Sequence, residues 1–211
     1  MKIVREQYLS AEANMGFDER MLKSGLFYND FPVFRAYLWD RPGITYSYNK
    51  GVPEDFDFED MSSRPTGGGI VFHSPGDIVF SCLARLDDPF FPKKIKCKMG
   101  VVSSWVRLAL VSEGIPVDDV KPIDPMPDIQ FCVSYPNPDE CFVNGQKVLG
   151  LTMRRWKAHF LIQGIIHVQN NFDYFSEDLG EYATYFTRGL GMPGSERRLM
   201  DRLIRVVESH D

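Results

Sequence analysis

The chain is short of everything that announces a metal centre or a disulfide framework. Its 211 residues hold four cysteines and four histidines. Cys82, Cys97, Cys132 and Cys141 form no C-x-x-C pair, and His73, His159, His167 and His210 do not fall at zinc spacing with them, so no metal is expected. No apolar stretch approaches the roughly 20 residues that span a bilayer, and Met1 to Glu6 has no apolar signal core. With 24 basic against 29 acidic residues, net charge -5 and no long basic run, the electrostatic footprint of nucleic-acid binding is missing. Neither G-x-x-x-x-G-K-[ST] nor G-x-G-x-x-G occurs, which leaves nucleotide binding without support from those motifs. A cytoplasmic protein, bound to neither membrane nor nucleic acid and acting as a monomer, is the expectation.

What is present suits a globular chain with a substantial core. Apolar residues make up 44%, with 16 Phe and 9 Tyr, enough to line a large apolar pocket. No internal repeat or low-complexity tract divides the chain, and one domain over residues 1–211 is expected.

Hydrophobic periodicity predicts a helix over Ser10–Lys23, with Ala11, Met15 and Leu22 on one side and Gly25 as its stop. Pro32–Trp39 reads as a strand, followed by a turn at Arg41-Pro42-Gly43. In the acidic segment Glu54–Asp60, Phe56 and Phe58 are expected to turn inward. Thr66-Gly67-Gly68-Gly69 leads into the apolar run Ile70–His73, and Ser74-Pro75-Gly76-Asp77 then turns into a strand Ile78–Leu83, which together suggest a hairpin fed by a glycine loop. A helix over Met99–Glu113 carries Val102, Trp105, Val106 and Ala109 on one stripe and ends at Gly114. A connector with Pro122, Pro125 and Pro127 precedes a strand Ile129–Val133. The pair Asn144-Gly145 between Cys141–Val143 and Gln146–Met153 is a strong hairpin signal, because both central positions of a type I′ turn need positive φ. A strand Phe160–Val168 follows, and Ser195 caps a last helix with Leu199, Leu203, Val206 and Val207 on one face. Hairpins interleaved with helices argue for an α+β fold with a mixed, largely antiparallel sheet.

Three features carry chemistry. Gly67, Gly68 and Gly69 bare the backbone, allowing a ligand close approach to main-chain groups. Lys147, one residue into a hairpin strand, is by default solvent-exposed; turned inward, it needs a partner, because an unpaired buried charge is costly. Cys132 stands at the mouth of an apolar strand, where an adjacent ammonium would favour the nucleophilic thiolate. Cys82 and Cys141 read as core residues, and Cys97 carries no signal either.

Three ordered blocks, spread over roughly residues 10 to 168, resemble the lipoate-protein ligase and octanoyltransferase superfamily. They are Asn14-Met15-Gly16-Phe17-Asp18-Glu19, then Arg64-Pro65-Thr66-Gly67-Gly68-Gly69-Ile70-Val71-Phe72-His73, then Gly145-Gln146-Lys147-Val148-Leu149-Gly150. Arg155 and the Gln163-Gly164 pair stand where relatives have related residues. The spacing of Cys132, Pro136, Glu140 and Lys147 is similar to the cysteine-dependent octanoyltransferase or lipoyl amidotransferase branch. Pro138-Asp139-Glu140 stands where ligases tend to have R-N-D. Ser63, Gln163, Leu151 and Thr152 depart from the usual pattern.

The resemblance implies an α+β fold around an acyl tunnel, with no C-terminal accessory domain. It implies transfer of an octanoyl or lipoyl group from acyl carrier protein, or from another lipoylated protein, to a lysine of a lipoyl domain. The glycine-cleavage H protein and the 2-oxoacid dehydrogenase E2 are the candidate acceptors. Cys132 and Lys147 would be catalytic, Lys147 steadying the thiolate and taking a proton from the incoming amine. Arg64, Thr66, Gly67, Gly68, Gly69, His73 and Gly150 would bind substrate. No cofactor is required in this scheme. An ATP- and Mg-dependent lipoate ligase and a non-catalytic lipoyl-domain binder are the alternatives.

Overall fold

The computed structural model describes residues 1–7, 9–24, 32–54, 56–119, 131–134 and 137–210. Gly25, the connector prolines 122, 125 and 127, the first residues of the expected strand at 129–130, and Pro136 lie outside the described residues.

A six-stranded sheet forms the frame. Its strands are β1 (Lys2–Arg5), β2 (Val33–Leu38), β6 (Ile78–Arg85), β9 (His159–Ile166), β8 (Gln146–Trp156) and β7 (Cys141–Val143), in that spatial order. Only β1 and β2 run parallel; the remaining neighbours are antiparallel. A second sheet places β3 (Gly43–Ser47) between β4 (Met61–Arg64) and β5 (Val71–His73). The expected α+β class with a mixed, mostly antiparallel sheet is what the chain forms.

The period-2 alternation of β6 shows how the layers are filled. Ile78, Phe80, Cys82 and Ala84 face one core, shared with Val102, Trp105, Val106, Ala109 and Leu110 of α2 (Lys98–Ser112). Leu199, Leu203, Ile204 and Val207 of α4 (Glu196–Glu208) close the same core. Each Val, Leu, Ile or Phe among them contributes about 1.5–3 kcal/mol when removed from water. On the opposite face, Val79 and Ile165 meet Ala11 and Met15 of α1 (Ala11–Ser24), together with Tyr37, Trp39 and Val71. The expected helical stripes are largely the buried ones, but Val206 is only partly buried, and Leu22 packs with Val33, Leu83 and Leu161 instead of with Ala11 and Met15. α2 ends at Gly114, whose φ of +75° is the left-handed conformation that closes a helix. Ser195 occupies the N-cap position of α4, but its hydroxyl donates to the Met192 carbonyl at 2.6 Å and caps no helical N–H.

Two local expectations need correction. The run Ile70–His73 and the strand from Ile78 do not make a hairpin: β5 pairs with β3, whereas β6 pairs with β2 and β9. The Ser74–Asp77 turn carries the chain from one sheet to the other, and it is pinned by hydrogen bonds between Gly76 N–H and Trp39 O (2.6 Å) and between Trp39 N–H and Asp77 O (2.8 Å). Cys132 is also not a strand residue. Phe131 makes a single parallel bridge to Ile70, and Cys132–Ser134 is a 3₁₀ turn. Behind it an aromatic cluster of Phe56, Phe72, Phe131, Phe175 and Phe186 fills the space under the smaller sheet. Phe56 and Phe58 turn inward as expected.

Candidate functional site

Two sequence-distant segments meet on the α1 face of the large sheet. The Phe131–Ile70 bridge delivers Cys132, whose N–H donates to Ile70 O at 2.8 Å. Opposite it, the hairpin turn at Asn144 and Gly145, with φ of +51° and +72°, starts β8. The ladder between β7 and β8 then shifts register between Cys141 and Phe142. Such a bulge re-aims the side chains that follow it. Val148 and Leu149 both enter the helix-side core. Lys147 and Gly150 come together on the other side, the Cβ position of Gly150 lying 4.0 Å from Lys147 Cε.

Lys147 is buried, against the default for a strand lysine, and its ammonium is held by groups of Glu140 and Cys132. Nζ lies 2.7 Å from Glu140 Oε2, donates to Cys132 O at 2.8 Å and sits 3.7 Å from Cys132 Sγ. Burial alone would pull the ammonium down, but negative charge at Cys132 and Glu140 outweighs it and holds Lys147 above the usual lysine range. Glu140 is itself fixed by the Asn137 N–H (3.0 Å) and the Leu151 N–H (3.4 Å). Burial pushes its carboxyl up, with Lys147 opposing the rise. Glu140 entered the sequence reading only as a spacing mark; its role as the counter-charge of Lys147 was missed.

Beside the thiol lies a cavity of about 60 Å³, open at its mouth, lined by Met15, Arg64, Val71, His73, Cys132 and Gly150, with Thr152, Gln163 and Ile165 among its other walls. The missing side chain of Gly150 leaves room here, since a Cβ would stand 3.5 Å from Cys132 Sγ. His73 stacks on Trp39 at 4.0 Å and shares a 2.8 Å hydrogen bond between Nε2 and Thr45 Oγ1. Burial, with the neighbouring His167 and Arg64 adding to it, depresses its pKa well below the ordinary histidine value, so the ring is neutral.

The glycine loop serves the cavity indirectly. Arg64 donates to Gly67 O (2.7 Å), Gly69 O (2.6 Å) and Thr45 O (3.2 Å), which ties the loop's carbonyls to one guanidinium. Burial lowers that guanidinium to about 10. Of the three glycines only Gly68 lines the cavity; it has φ +95° and its Cβ position lies 2.9 Å from Arg64 Nη2, so glycine is needed there. Thr66 is turned away, its hydroxyl donating to Gln163 Oε1 at 2.6 Å. Gln163 Nε2 in turn donates to Asp18 Oδ2 at 2.6 Å, and Asp18 also accepts from Arg35 at 3.0 Å. Thr152, another departure from the family pattern, donates to Gly67 O at 3.1 Å and fastens β8 to the loop. Arg155 is exposed and stands apart from the cavity.

A second, smaller chamber meets the first at Cys132 and Val71. Its walls include Lys147, His167, Asn171, Tyr185 and Thr187. The sequence reading gave none of the last four a role.

The family model described as "Lipoyl protein ligase A/B catalytic domain" matches residues 11–195. The chain is similar to octanoyltransferase LipM of Carboxydothermus hydrogenoformans, with 26% identity over 179 residues covering 78% of this chain and 63% of that protein. It is also similar to lipoate-protein ligase A subunit 1 of Thermoplasma acidophilum, with 30% identity over 125 residues covering 55% of this chain and 47% of the relative. The chain thus spans less than two thirds of either relative's length. In fold it resembles a solved lipoate-protein ligase A bound with ATP, with TM-score 0.76 and 19% identity over 99% of this chain and 84% of that one.

Proposed function

The chain belongs to the lipoyl protein ligase A/B catalytic domain family, and from that premise we propose that it is an acyltransferase working through a Cys132 acyl-enzyme. In the first step the Cys132 thiolate attacks the acyl carbonyl of the donor, an octanoyl thioester on acyl carrier protein or a lipoyl amide on the lysine of another lipoylated protein. A new C–S bond forms, and the carrier's thiolate, or the donor lysine's amine after taking up a proton, leaves. In the second step the amine of a lipoyl-domain lysine, as in a glycine-cleavage H protein or an E2 subunit, attacks that thioester. The C–N bond forms, the C–S bond breaks, and the electron pair returns to sulfur.

The observation that supports this reading is the pairing of Cys132 Sγ with Lys147 Nζ at 3.7 Å, where Cys132 forms part of the wall of a largely apolar cavity and Lys147 lies in the smaller chamber behind it. The ammonium beside the sulfur is placed to steady the negative charge that returns to Cys132 when the C–S bond breaks in the second step. The cavity offers the acyl chain an apolar berth, and Gly150 keeps the carbonyl's approach clear. Backbone N–H groups near the lysine block or the glycine loop are candidates for holding the oxyanion. The octanoyltransferase relative points the same way. No cofactor enters this scheme.

The test is intact-mass spectrometry after incubation with octanoyl-acyl carrier protein. An octanoyl adduct on the wild-type protein that is absent from Cys132→Ser supports the reading; an adduct that persists in the variant refutes it. A ligase reading draws on the Thermoplasma relative. It predicts a lipoyl-adenylate made from free lipoate and ATP, formed equally by Cys132→Ser.

A further inference from the structure

The cavity beside Cys132 is small for an eight-carbon tail. Its volume is about 60 Å³, whereas a closed apolar cavity of about 150 Å³ is what takes up a single benzene molecule. The tail therefore enters fully only where a wall gives way, and a close-packed interior has few walls that can.

The cavity floor sets the direction of the tail. Gly150 and Ile165 face each other across the β8–β9 ladder, with the sulfur beside them. Thr152 and Gln163 are the next pair on the same face, about 7 Å further along the strands. At that far end Gln163 Nε2 lies 3.5 Å from Met15 Sδ. Met15 and Arg64 line the cavity there, and both also line a second space of about 270 Å³ between α1 and β4. Glu12, Gly16, Glu19, Tyr48, Ser62 and Ser63 are among the walls of that groove. The two side chains are thus a partition between the cavity and the groove.

Only one half of the partition is free to move. Arg64 is tied by its hydrogen bonds to Gly67 O, Gly69 O and Thr45 O. Met15 is held by apolar packing and by the approach of Gln163 to its sulfur, a weak acceptor. Its unbranched side chain has three rotatable bonds, whereas Val71, Val79 and Ile165 are branched at Cβ and stiff. His73 is stacked on Trp39 and bonded to Thr45. Beside Met15, Gly16 leaves the groove unfilled: apart from its own helix, a Cβ there would meet nothing nearer than Arg20 Nη1 at 3.4 Å.

We propose that Met15 is the movable end wall of the acyl site: a chain bound at Cys132 displaces its side chain towards the α1–β4 groove, and Met15 thereby sets the longest chain the protein accepts. This rests on the acyl-enzyme reading above. A chain too short to reach Met15 leaves it in place. An eight-carbon chain displaces it within the apolar surroundings, and a longer one has to drive it out among Glu12, Glu19 and the two serines.

The test scores chain-length preference within each protein, so that a uniform loss of activity cancels. Butanoyl-, octanoyl- and dodecanoyl-acyl carrier protein are offered to wild type, Met15→Ala and Met15→Ile, and acylation of Cys132 is read by peptide mass. Met15→Ala is expected to raise the dodecanoyl-to-octanoyl ratio at least about tenfold, the lower end of what one methylene of pocket space is worth. Met15→Ile keeps most of the volume but stiffens the wall, and is expected to lower the octanoyl-to-butanoyl ratio about tenfold. The same proteins are also treated with butyl, octyl and dodecyl methanethiosulfonate, which modify a thiol without any catalytic step, and the ratios at Cys132 are expected to shift in the same directions. Ratios that are alike in all three proteins overturn Met15 as the end wall and leave the acyl-enzyme reading standing. A wild-type protein that takes no acyl group from any carrier, while the thiosulfonate ratios shift as expected, overturns the acyl-enzyme reading and leaves the wall in place.

Discussion

Glu140 Oε2 lies 2.7 Å from Lys147 Nζ, with both side chains almost wholly removed from water. Neither charge is tolerable there alone: breaking a buried pair by deleting one partner typically costs about 3–5 kcal/mol, because the survivor is left uncompensated. Glu140→Gln is therefore expected to lower the unfolding free energy by about 3 kcal/mol in urea titrations. Glu140→Gln combined with Lys147→Met is expected to recover most of that loss. Additive single and double variants would mean that the two charges do not depend on each other.

The space beside the thiol is maintained by an absent side chain. A Cβ on Gly150 would stand 3.5 Å from Cys132 Sγ and 3.3 Å from Ile165 Cγ2, so alanine fits only with a small shift and valine does not fit. Alkylation by iodoacetamide, read peptide by peptide with the exposed Cys97 as internal reference, is expected to slow at Cys132 by about threefold in Gly150→Ala. In Gly150→Val it is expected to slow by at least about tenfold, with a stability cost of about 1–3 kcal/mol for overpacking. Equal Cys132 reactivity in all three proteins would show that Gly150 does not gate access to the sulfur.

These two relationships differ in how far the sequence disclosed them. The hairpin that starts β8 was legible because Asn144-Gly145 is a local signal and both residues adopt the positive φ it demands. The stripes of α1 and α2 were legible for the same reason, since 3.6-residue periodicity is written within one segment. The burial of Lys147 was not, because it depends on a carboxylate seven residues upstream and on a register shift that only the folded ladder displays. The turn Ser74–Asp77 has hairpin chemistry, yet its flanking strands join different sheets; long-range pairing with β3 and β2 decides that. His167 gave no signal at all, its partner Asp77 lying 90 residues away. The family resemblance supplied what periodicity could not, the joining of Cys132 to Lys147, while the residues that fix the two in place came from the fold.

Gly164 marks the point where β9 crosses the back of the cavity. A Cβ there would fall 2.2 Å from Phe80 Cζ and 2.8 Å from Leu151 Cδ2, inside rings and branches that are themselves buried. Gly164→Ala is expected to cost at least about 2 kcal/mol, since Phe80 has no empty space into which to rotate. A 100-residue-scale response predicts several degrees of Tm loss per kcal/mol, somewhat less for a chain of this size. A melting temperature within about one degree of wild type would contradict the packing around Phe80.

His73 provides a pH signature of the fold. Its pKa is pushed well below 6.5 by burial, so it stays neutral in the folded state but takes up a proton in the unfolded chain once the pH drops below 6.5. The unfolded state then binds more protons than the folded one, which makes stability rise with pH and fall on acidification, at roughly 1.4 kcal/mol per pH unit as the limiting slope for one such group. Asp18 and Glu140, whose carboxyls burial raises, act in the opposite sense, so the raw profile mixes the two. The difference between wild type and His73→Gln isolates the histidine: glutamine can still share a hydrogen bond with Thr45 but does not titrate. The variant is expected to be less stable than wild type near pH 7 and to close that gap by about 1–2 kcal/mol on going to about pH 5, measured by chemical denaturation at each pH. A gap independent of pH would mean that the His73 ring is protonated alike in both states, and that the neutral imidazole assigned to the cavity wall is wrong.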